Sequence, residues 1–441
     1  MTENLMQHIV NLCKRRGFIT LSSEPYGGFG SCYDYGPLGV ELKNNIKQNW
    51  WKTMTRGYDN IVGVDSAILM SPKVWEASGH LSAGFADELV ECKQCHKRFK
   101  LSDLDNKSVC PECQGELLPP RHFNIMMKTF IGPVEDSSSV TYLRGETCQG
   151  IFMDYQWVLD AMRLKIPFGI AQIGKAFRNE INPNNFIFRT REFEQMEMEF
   201  FVHPNDAEKY FEYFKQERMQ WYIKLGIKKE NLRFYEHKKD ELAHYAIKAF
   251  DIEYHFPFGW QEIEGIHNRG QWDLGNHSKF SGKDLSYFDP EKKETFIPFV
   301  IETSAGADRV TLAVLLDAYD EIKGGRSTTT NAIKDTEIVL HLHPKLAPVK
   351  CAILPLLKNK IELVNKAKDI YNLWKLNYNI QYDETGTIGK RYRRQDEIGT
   401  PWCLTIDFDT LKDNTITIRD RDTMSQKRIA VDDVGHNYFN F

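Results

Sequence analysis

The stretch Glu302-Thr303-Ser304-Ala305-Gly306-Ala307-Asp308-Arg309 decides how this chain is built. Alternation along its first residues puts Glu302 and Ser304 on one face of a strand. Small residues then turn the chain, and Arg309 falls in the first turn of an apolar helix carrying Val310, Leu312, Val314 and Leu315. A second run, Phe177-Arg178-Asn179-Glu180, sets Arg178 and Glu180 two apart and so on the same side of a strand. After a loop through Asn182-Pro183-Asn184-Asn185 comes Phe186 to Val202, in which Met196, Met198, Phe200 and Val202 share one face. Phe193, Gln195, Glu197 and Glu199 take the other. An acidic strand face is most often a solvated one. With an arginine at each end, however, such a face can hold a polyphosphate through charge-assisted, often bidentate bonds. The fold expected is an antiparallel sheet with that face as its floor.

At 441 residues the chain has room for two to four domains and a large core. Hydrophobic content of 41% and aromatic content of 12% describe a globular protein, which excludes a disordered one. A net charge of -4 carries no global nucleic-acid signature, but from Lys345 onward 16 basic residues outweigh 13 acidic ones, which suits RNA contact. No apolar run approaches the roughly 20 residues that span a bilayer, so no membrane partner is expected. Nine cysteines, four of them tightly spaced, do not make a secreted disulfide framework, and the expected location is cytoplasmic.

An amphipathic helix (Leu5, Ile9, Leu12) opens the chain, a Gly/Ser/Tyr-rich loop spans Ser22 to Gly39, and a helix follows to Arg56. Ile61 to Leu69 has strand character. Asp206 to Leu225 keeps helical spacing (Tyr210, Phe214, Trp221) and stops at Gly226. Strand signal returns at Glu262-Ile263 and from Phe296 to Thr303. The segment Lys323 to Thr330 reads as a linker. Beyond it strand runs (Val349 to Leu354, Asn379 to Tyr382, Trp402 to Asp407, Thr415 to Arg419) alternate with helical ones, the pattern of a small α/β domain. Expected bounds are 1–340 for the first domain, with insertions at 88–121 and 203–258, and 341–441 for the second.

Cys92-x2-Cys95 and Cys110-x2-Cys113 are separated by 14 residues, one short of the usual zinc-ribbon range. Four thiolates in two knuckles suit tetrahedral Zn²⁺, and the module has few apolar residues to hold it together otherwise. Four cysteines leave no open position, so the role is structural rather than catalytic. A ribbon that packs without metal is the alternative.

Together these runs resemble motifs 2 and 3 of class II aminoacyl-tRNA synthetases, of class IIa and of the homodimeric glycyl type. The string Ser22-Ser23-Glu24-Pro25-Tyr26-Gly27-Gly28-Phe29-Gly30 through Tyr33 to Gly39 carries the likeness, and Gly399-Thr400-Pro401 extends it to the tail. The resemblance implies a ligase that joins glycine to tRNA(Gly) with ATP and Mg²⁺, in three parts. As catalytic groups it implies Arg178 on the α-phosphate, Arg309 reaching the γ-phosphate over a bent ATP, and Arg269, in Asn268-Arg269-Gly270-Gln271-Trp272, near the α-phosphate. Around the nucleotide it implies Asn179, Glu180, Phe188, Arg189, Thr190, Arg191, Glu192, Phe193 as the adenine stack, Glu262 with a possible Mg²⁺ contact, Ile263, Gly306, Ala307 and Asp308. For glycine it implies Glu146, Glu197 and Glu302 on the ammonium, with Phe193, Glu194, Gln195, Met196, Thr303, Ser304, Ala305, Gly306 and Arg98 around them.

Trp75-Glu76-Ala77-Ser78-Gly79-His80 resembles motif 1, an element that implies a homodimer interface near Pro72. Gly389-Lys390-Arg391-Tyr392-Arg393-Arg394 to Pro401 resembles part of an anticodon-binding domain, where basic and aromatic residues suit phosphates and unpaired bases. Gly145 and Cys148 depart from the proline and alanine usual in relatives, and Gln271-Trp272 replaces an Asp-aromatic pair. Two other readings compete: a nucleic-acid-binding accessory subunit on the same fold, such as that of mitochondrial DNA polymerase, and a synthetase for threonine, proline or histidine. The first loses motif residues that stand here; the pocket glutamates disfavour the second.

Overall fold

The computed structural model describes residues 2–81, 86–104, 106–181, 185–326 and 336–438. The expected loop residues at 182–184 and the linker at 327–330 lie outside them.

A seven-stranded sheet organises the first domain: β1 (Ile61–Gly63), β2 (Phe168–Phe177), β3 (Glu192–Val202), β4 (Leu232–Glu236), β5 (Lys248–Phe256), β6 (Gly259–Gly270) and β7 (Phe299–Gly306), in the order β4-β5-β6-β7-β3-β2-β1. Every pair is antiparallel except β1 with β2. This is the antiparallel sheet the sequence implies. On one face Met196, Met198, Phe200, Val202, Ile301 and Ala305 join the main core with helices α1 (Thr2–Arg16), α2 (Pro37–Gly57), α4 (Ala207–Lys224) and α6 (Ala307–Ala318). Helix α6 is buried all round save for Arg309, its apolar residues in the core and its Asp308, Thr311 and Asp317 hydrogen-bonded. On the other face α3 (Cys148–Met162) and α5 (Trp272–Ser281) cover only one end, where Phe168, Phe201, Val300 and Leu274 form a second core. The other end of that face is left open, and the polar side chains of β3, β6 and β7 stand there.

The ribbon has three short strands, Ala86–Glu91 between Arg98–Lys100 and Arg121–Asn124. The tail domain is a five-stranded mixed sheet with Cys351–Pro355 parallel to Ile380–Tyr382 and to Trp402–Ile406, followed by two antiparallel strands. The expected boundary at 340/341 falls inside packed structure. Leu342, Leu346, Ala347 and Val349 belong to the core of the first domain, and Ile398 of the tail enters it too. Ion pairs cross the junction: Arg326 reaches Asp396 at 2.6 Å, and Arg15 and Arg16 of α1 both hold Glu397.

The Trp-Glu-Ala-Ser-Gly-His segment is turned inward. Trp75 is fully buried, and Ser78 and His80 are buried with Ser78 Oγ 2.7 Å from His80 Nδ1. Glu76 of the segment is exposed, as is Leu69 a few residues before it.

Candidate active site

The open end of the sheet holds a cavity of about 330 Å³. Cross-strand register builds its floor. Glu302 of β7 lies between Glu199 of β3 and His267 of β6, and Ser304 lies between Glu197 and Gly265. Like charges set directly opposite repel, so Glu199 against Glu302 needs compensation, and the compensation comes from β6. Arg269 Nη1 donates to Glu302 Oε2 at 2.5 Å and His267 Nδ1 lies 2.6 Å from Oε1. The Arg269 Nε and Nη2 donate to the fully buried Asp273 at 2.7 and 2.8 Å, and its guanidinium lies 3.7 Å over the Tyr245 ring. Burial would raise Glu302, but Arg269 and His267 hold it below the usual carboxylate range.

The neighbouring acids differ. Burial, with Glu302 and Glu146 close by, pushes Glu197 up to about 7. Its carboxylate accepts from Thr147 Oγ1. Glu199 is pushed well above its ordinary value by burial and by Glu302. Glu146 is opposite: burial acts to raise it, yet His80, Arg269 and the Cys148 thiol hold it well below its ordinary value. His80 Nε2 sits 3.2 Å from Glu146 Oε1, which also accepts from Gln149 Nε2 and the Cys148 thiol at 2.9 Å each. The floor therefore sets Glu146 and Glu302, both held low, beside Glu197 and Glu199, both raised, with Arg269 already meeting the charge of Glu302. Its surplus is negative, which suits a small cation such as an ammonium.

Toward the mouth the surface changes character. Arg178 Nε donates to the Gly145 carbonyl at 3.0 Å, and its guanidinium lies 5.4 Å from the Phe193 ring. Across the cavity Arg309 lies 4.4 Å over Phe188 and donates to the Phe188 and Glu262 carbonyls and to Glu262 Oε2, at 3.0 to 3.1 Å. Two arginines with two aromatic rings make a site for a planar base carrying phosphates. A β-bulge explains how Glu262 joins them. Glu253 pairs with Glu262 and Ile252 with Glu264, leaving Ile263 unpaired. The extra residue shifts the alternation, so Glu262 shares the cavity face with Gly265, His267 and Arg269.

Of the residues expected from sequence, the cavity gathers Arg178, Glu180, Phe188, Arg189, Thr190, Phe193, Glu262, Gly306, Asp308 and Arg309, with Glu146, Gln195, Glu197, Arg269, Glu302 and Ser304 deeper in. Others are placed elsewhere. Met196 and Ala305 belong to the main core and Thr303 is fully buried, because strand alternation turns them from the floor. Ile263 and Ala307 are buried in the same core. Glu194 points behind the strand to Lys43 and Lys47, at 2.8 and 2.9 Å. Glu192 pairs with exposed Lys175. Arg191 donates to the carbonyls of Gly30 and Glu180 at 2.7 and 3.2 Å, tying the glycine-rich loop to the site's edge. Asn179 is outside the cavity lining, its N–H bonded to the Ile125 carbonyl at 2.8 Å. Arg98 stays on the ribbon, paired with Glu91 at 2.9 Å and largely exposed. Arg269, expected near a phosphate, commits its guanidinium to Asp273 and Glu302.

Sequence reasoning missed His80, Thr147, Tyr245, Asp251 and His267. His267 lies two residues before Arg269 on one strand, so period 2 could have found it. Tyr245 and Asp251 come from the 203–258 insertion, and nothing in their local pattern marks them.

The two cysteine knuckles match each other. The backbone N–H groups of His96 and Gln114 donate to the carbonyls of Cys92 and Cys110, at 3.1 and 3.0 Å, and both residues are left-handed. Cys92 Sγ lies 3.4 Å from Cys113 Sγ, and Cys95 Sγ 3.6 Å from Cys110 Sγ. All four sulfurs lie within 4.8 Å of one another, a fit for tetrahedral Zn²⁺. The basic string of the tail is mostly structural. Arg391 is buried and bonded to the Pro355 and Gly386 carbonyls, the Tyr392 hydroxyl lies 2.5 Å from Thr405 Oγ1, and Asp396 is held by Arg419 at 2.8 Å. Lys390 remains exposed.

Residues 133–319 match the tRNA synthetase class II core domain (G, H, P, S and T), and residues 350–437 match an anticodon binding domain. The chain is 56% identical over 436 residues to the glycine–tRNA ligase of Borreliella burgdorferi, covering 97% of this chain and 96% of that protein. It is 54% identical to that of Treponema denticola (96% and 94% covered) and 49% to that of Streptomyces coelicolor (98% of each). No helix among the described residues is long and apolar enough to cross a membrane.

Proposed function

The chain belongs to the glycine–tRNA ligase family of class II synthetases, and we infer from that premise how its cavity carries out the reaction. It activates glycine with ATP to glycyl-adenylate and transfers the glycyl group to tRNA(Gly). In the first step a glycine carboxylate oxygen attacks the α-phosphorus, a new P–O bond forms, and the bond to the bridging oxygen breaks to release pyrophosphate. The carboxylate is already ionised, so the step needs no protein nucleophile or base. It needs positioning and stabilisation of charge. Class II synthetases use ATP with Mg²⁺, which would supply charge neutralisation on the phosphates; Glu262 and Glu180 are the carboxylates at that end of the cavity.

Arg178 would meet the α-phosphate as negative charge builds, and Arg309, in the first turn of α6, would meet the terminal phosphate, exchanging its Glu262 partner for it. Phe193 would stack on adenine. Glu146, Glu197 and Glu302 would hold the glycine ammonium, with Ser304 beside them, and Arg269, Asp273, His80 and Thr147 would keep those carboxylates in place. In the second step a terminal ribose hydroxyl of tRNA attacks the carbonyl, and AMP leaves. Four cysteines would hold a structural Zn²⁺ in the ribbon, and a second copy of the chain would dock against the outer side of the 64–72 stretch.

The observation that carries this reading is the buried carboxylate floor ending in two arginine–phenylalanine pairs within one cavity. Incubation with labelled glycine, ATP, Mg²⁺ and unfractionated tRNA tests it. Acid-precipitable label that depends on ATP and on tRNA is expected. Adenylate without charged tRNA, or charging with another amino acid, would refute it.

A further inference from the structure

Below the carboxylates assigned to the ammonium lies a feature that one ammonium does not use. Both oxygens of Glu199 are buried and have no hydrogen-bond partner, and the residue is fully enclosed. A buried carboxyl without partners is costly and calls for a physical reason. It is not isolated. Cys148 Sγ and one oxygen each of Glu197, Glu199 and Glu302 lie within 4.8 Å of one another. Cross-strand register fixes Glu199 beside Glu302, and the first turn of α3 brings Cys148 over them.

We propose that this floor is a second zinc site, with Cys148, Glu197, Glu199 and Glu302 as ligands, and that Zn²⁺ there competes with glycine. The competition clause rests on the functional reading above; the metal site does not. Donor chemistry selects the ion. Three carboxylates alone would favour a hard cation such as Mg²⁺ or Ca²⁺, whereas one thiolate among them turns the preference to a borderline-soft one. Size agrees. Zinc arms of about 2.3 Å to sulfur and about 2.0–2.2 Å to oxygen place tetrahedral donors roughly 3.3–3.7 Å apart, so side chains within 4.8 Å need to close by about an ångström. Charge agrees as well. Arg269 and His267 already counter Glu302, so a dication meets the thiolate and the remaining two carboxylates. Any proton that Cys148 or Glu199 carries leaves to solvent on binding. Glu199 then gains the partner it lacks. Because Glu197 and Glu302 also line the cavity, an ion on this floor occupies the volume of the ammonium.

The test uses the full chain with its ribbon loaded to one zinc, titrated with ZnCl₂ by isothermal calorimetry. One further equivalent is expected to bind. Cys148→Ala and Glu199→Gln should each weaken that second event at least about tenfold, while metal analysis still finds the ribbon zinc. Glutamine is isosteric with glutamate, so the second variant stands if the first folds poorly. Saturating glycine should weaken the second event as well. No second equivalent, or a second event unchanged in both variants, would overturn the site. A second event that depends on Cys148 and Glu199 but ignores glycine would leave the metal site standing and overturn the placement of the ammonium.

Discussion

Arg269→Ala separates the role the structure gives this residue from the one its motif implies. In the structure the guanidinium makes three charge-assisted bonds, two to Asp273 and one to Glu302, and lies 3.7 Å over Tyr245. Asp273 is fully buried and Glu302 nearly so. Truncation strands Asp273 and leaves Glu302 with His267 alone, and breaking a buried pair from one side costs about 3–5 kcal/mol. Loss of the ring contact adds about 1–2 kcal/mol for a desolvated site. Urea denaturation followed by tryptophan fluorescence should show a midpoint lowered by that energy divided by the m-value, with m unchanged. Combining the substitution with Asp273→Asn and Glu302→Gln removes the stranded charges and should recover about half of the loss or more, since these neighbours are coupled. Glycine-dependent exchange by Arg269→Ala should also fall, through a raised KM for glycine. If Arg269→Ala keeps stability within about 1 kcal/mol of wild type, the guanidinium is not what holds the acids. Loss of exchange in kcat alone, with glycine KM intact, would then return Arg269 to the phosphate.

Arg309→Ala is the contrasting case, because its Glu262 partner is half-exposed and loses little when left alone. Stability should stay within about 1 kcal/mol while pyrophosphate exchange falls by about 10²–10³; a folded variant with near-normal exchange would defeat the motif 3 assignment. Protein purified without chelator should contain one zinc in the ribbon per chain, and Cys110→Ser should lose it and open the 88–121 segment to protease; wild type without metal and with an equally resistant ribbon would show that packing suffices. Glu194 is held below its ordinary pKa by Lys43 and Lys47 against the effect of burial, so its contribution to stability is full above the unfolded value of about 4.3 and is lost as pH falls through the lower folded value. Thermal midpoints measured from pH 6 to 3 should therefore drop less steeply in Glu194→Gln than in wild type; parallel curves would contradict the linkage.

The sequence was legible where a residue's neighbours along the strand set its orientation. The even–odd split of β3 put Met196, Met198, Phe200 and Val202 in the core and Phe193, Gln195 and Glu197 in the cavity, as the alternation requires. Where a resemblance named consecutive residues, the same alternation corrects it, since Met196, Thr303 and Ala305 cannot share a face with their neighbours. The long strand β6 was barely visible, with only Glu262-Ile263 giving signal. Its cavity face carries His267 and Arg269 and its core face carries Glu264, paired with Arg218, so no apolar alternation marks it, and its bulge breaks the period besides. Partners across the fold were invisible in principle. His80 meets Glu146 only because the 72–77 helix packs against α5, and the tail's basic string turned structural because Arg391 and Asp396 face other strands, which a run of charges cannot reveal.

Amino-acid-dependent ATP–pyrophosphate exchange, run in parallel with all twenty amino acids, tests the central claim most directly. Three carboxylates engage an ammonium that every amino acid shares, so selectivity must come from walls that leave no room for a side chain, and exclusion of one methyl group by close contact supports a ratio of about a hundredfold. The account predicts exchange with glycine and at least about a hundredfold less with alanine or serine. Equal exchange with alanine or serine, or no exchange with any amino acid, would contradict it.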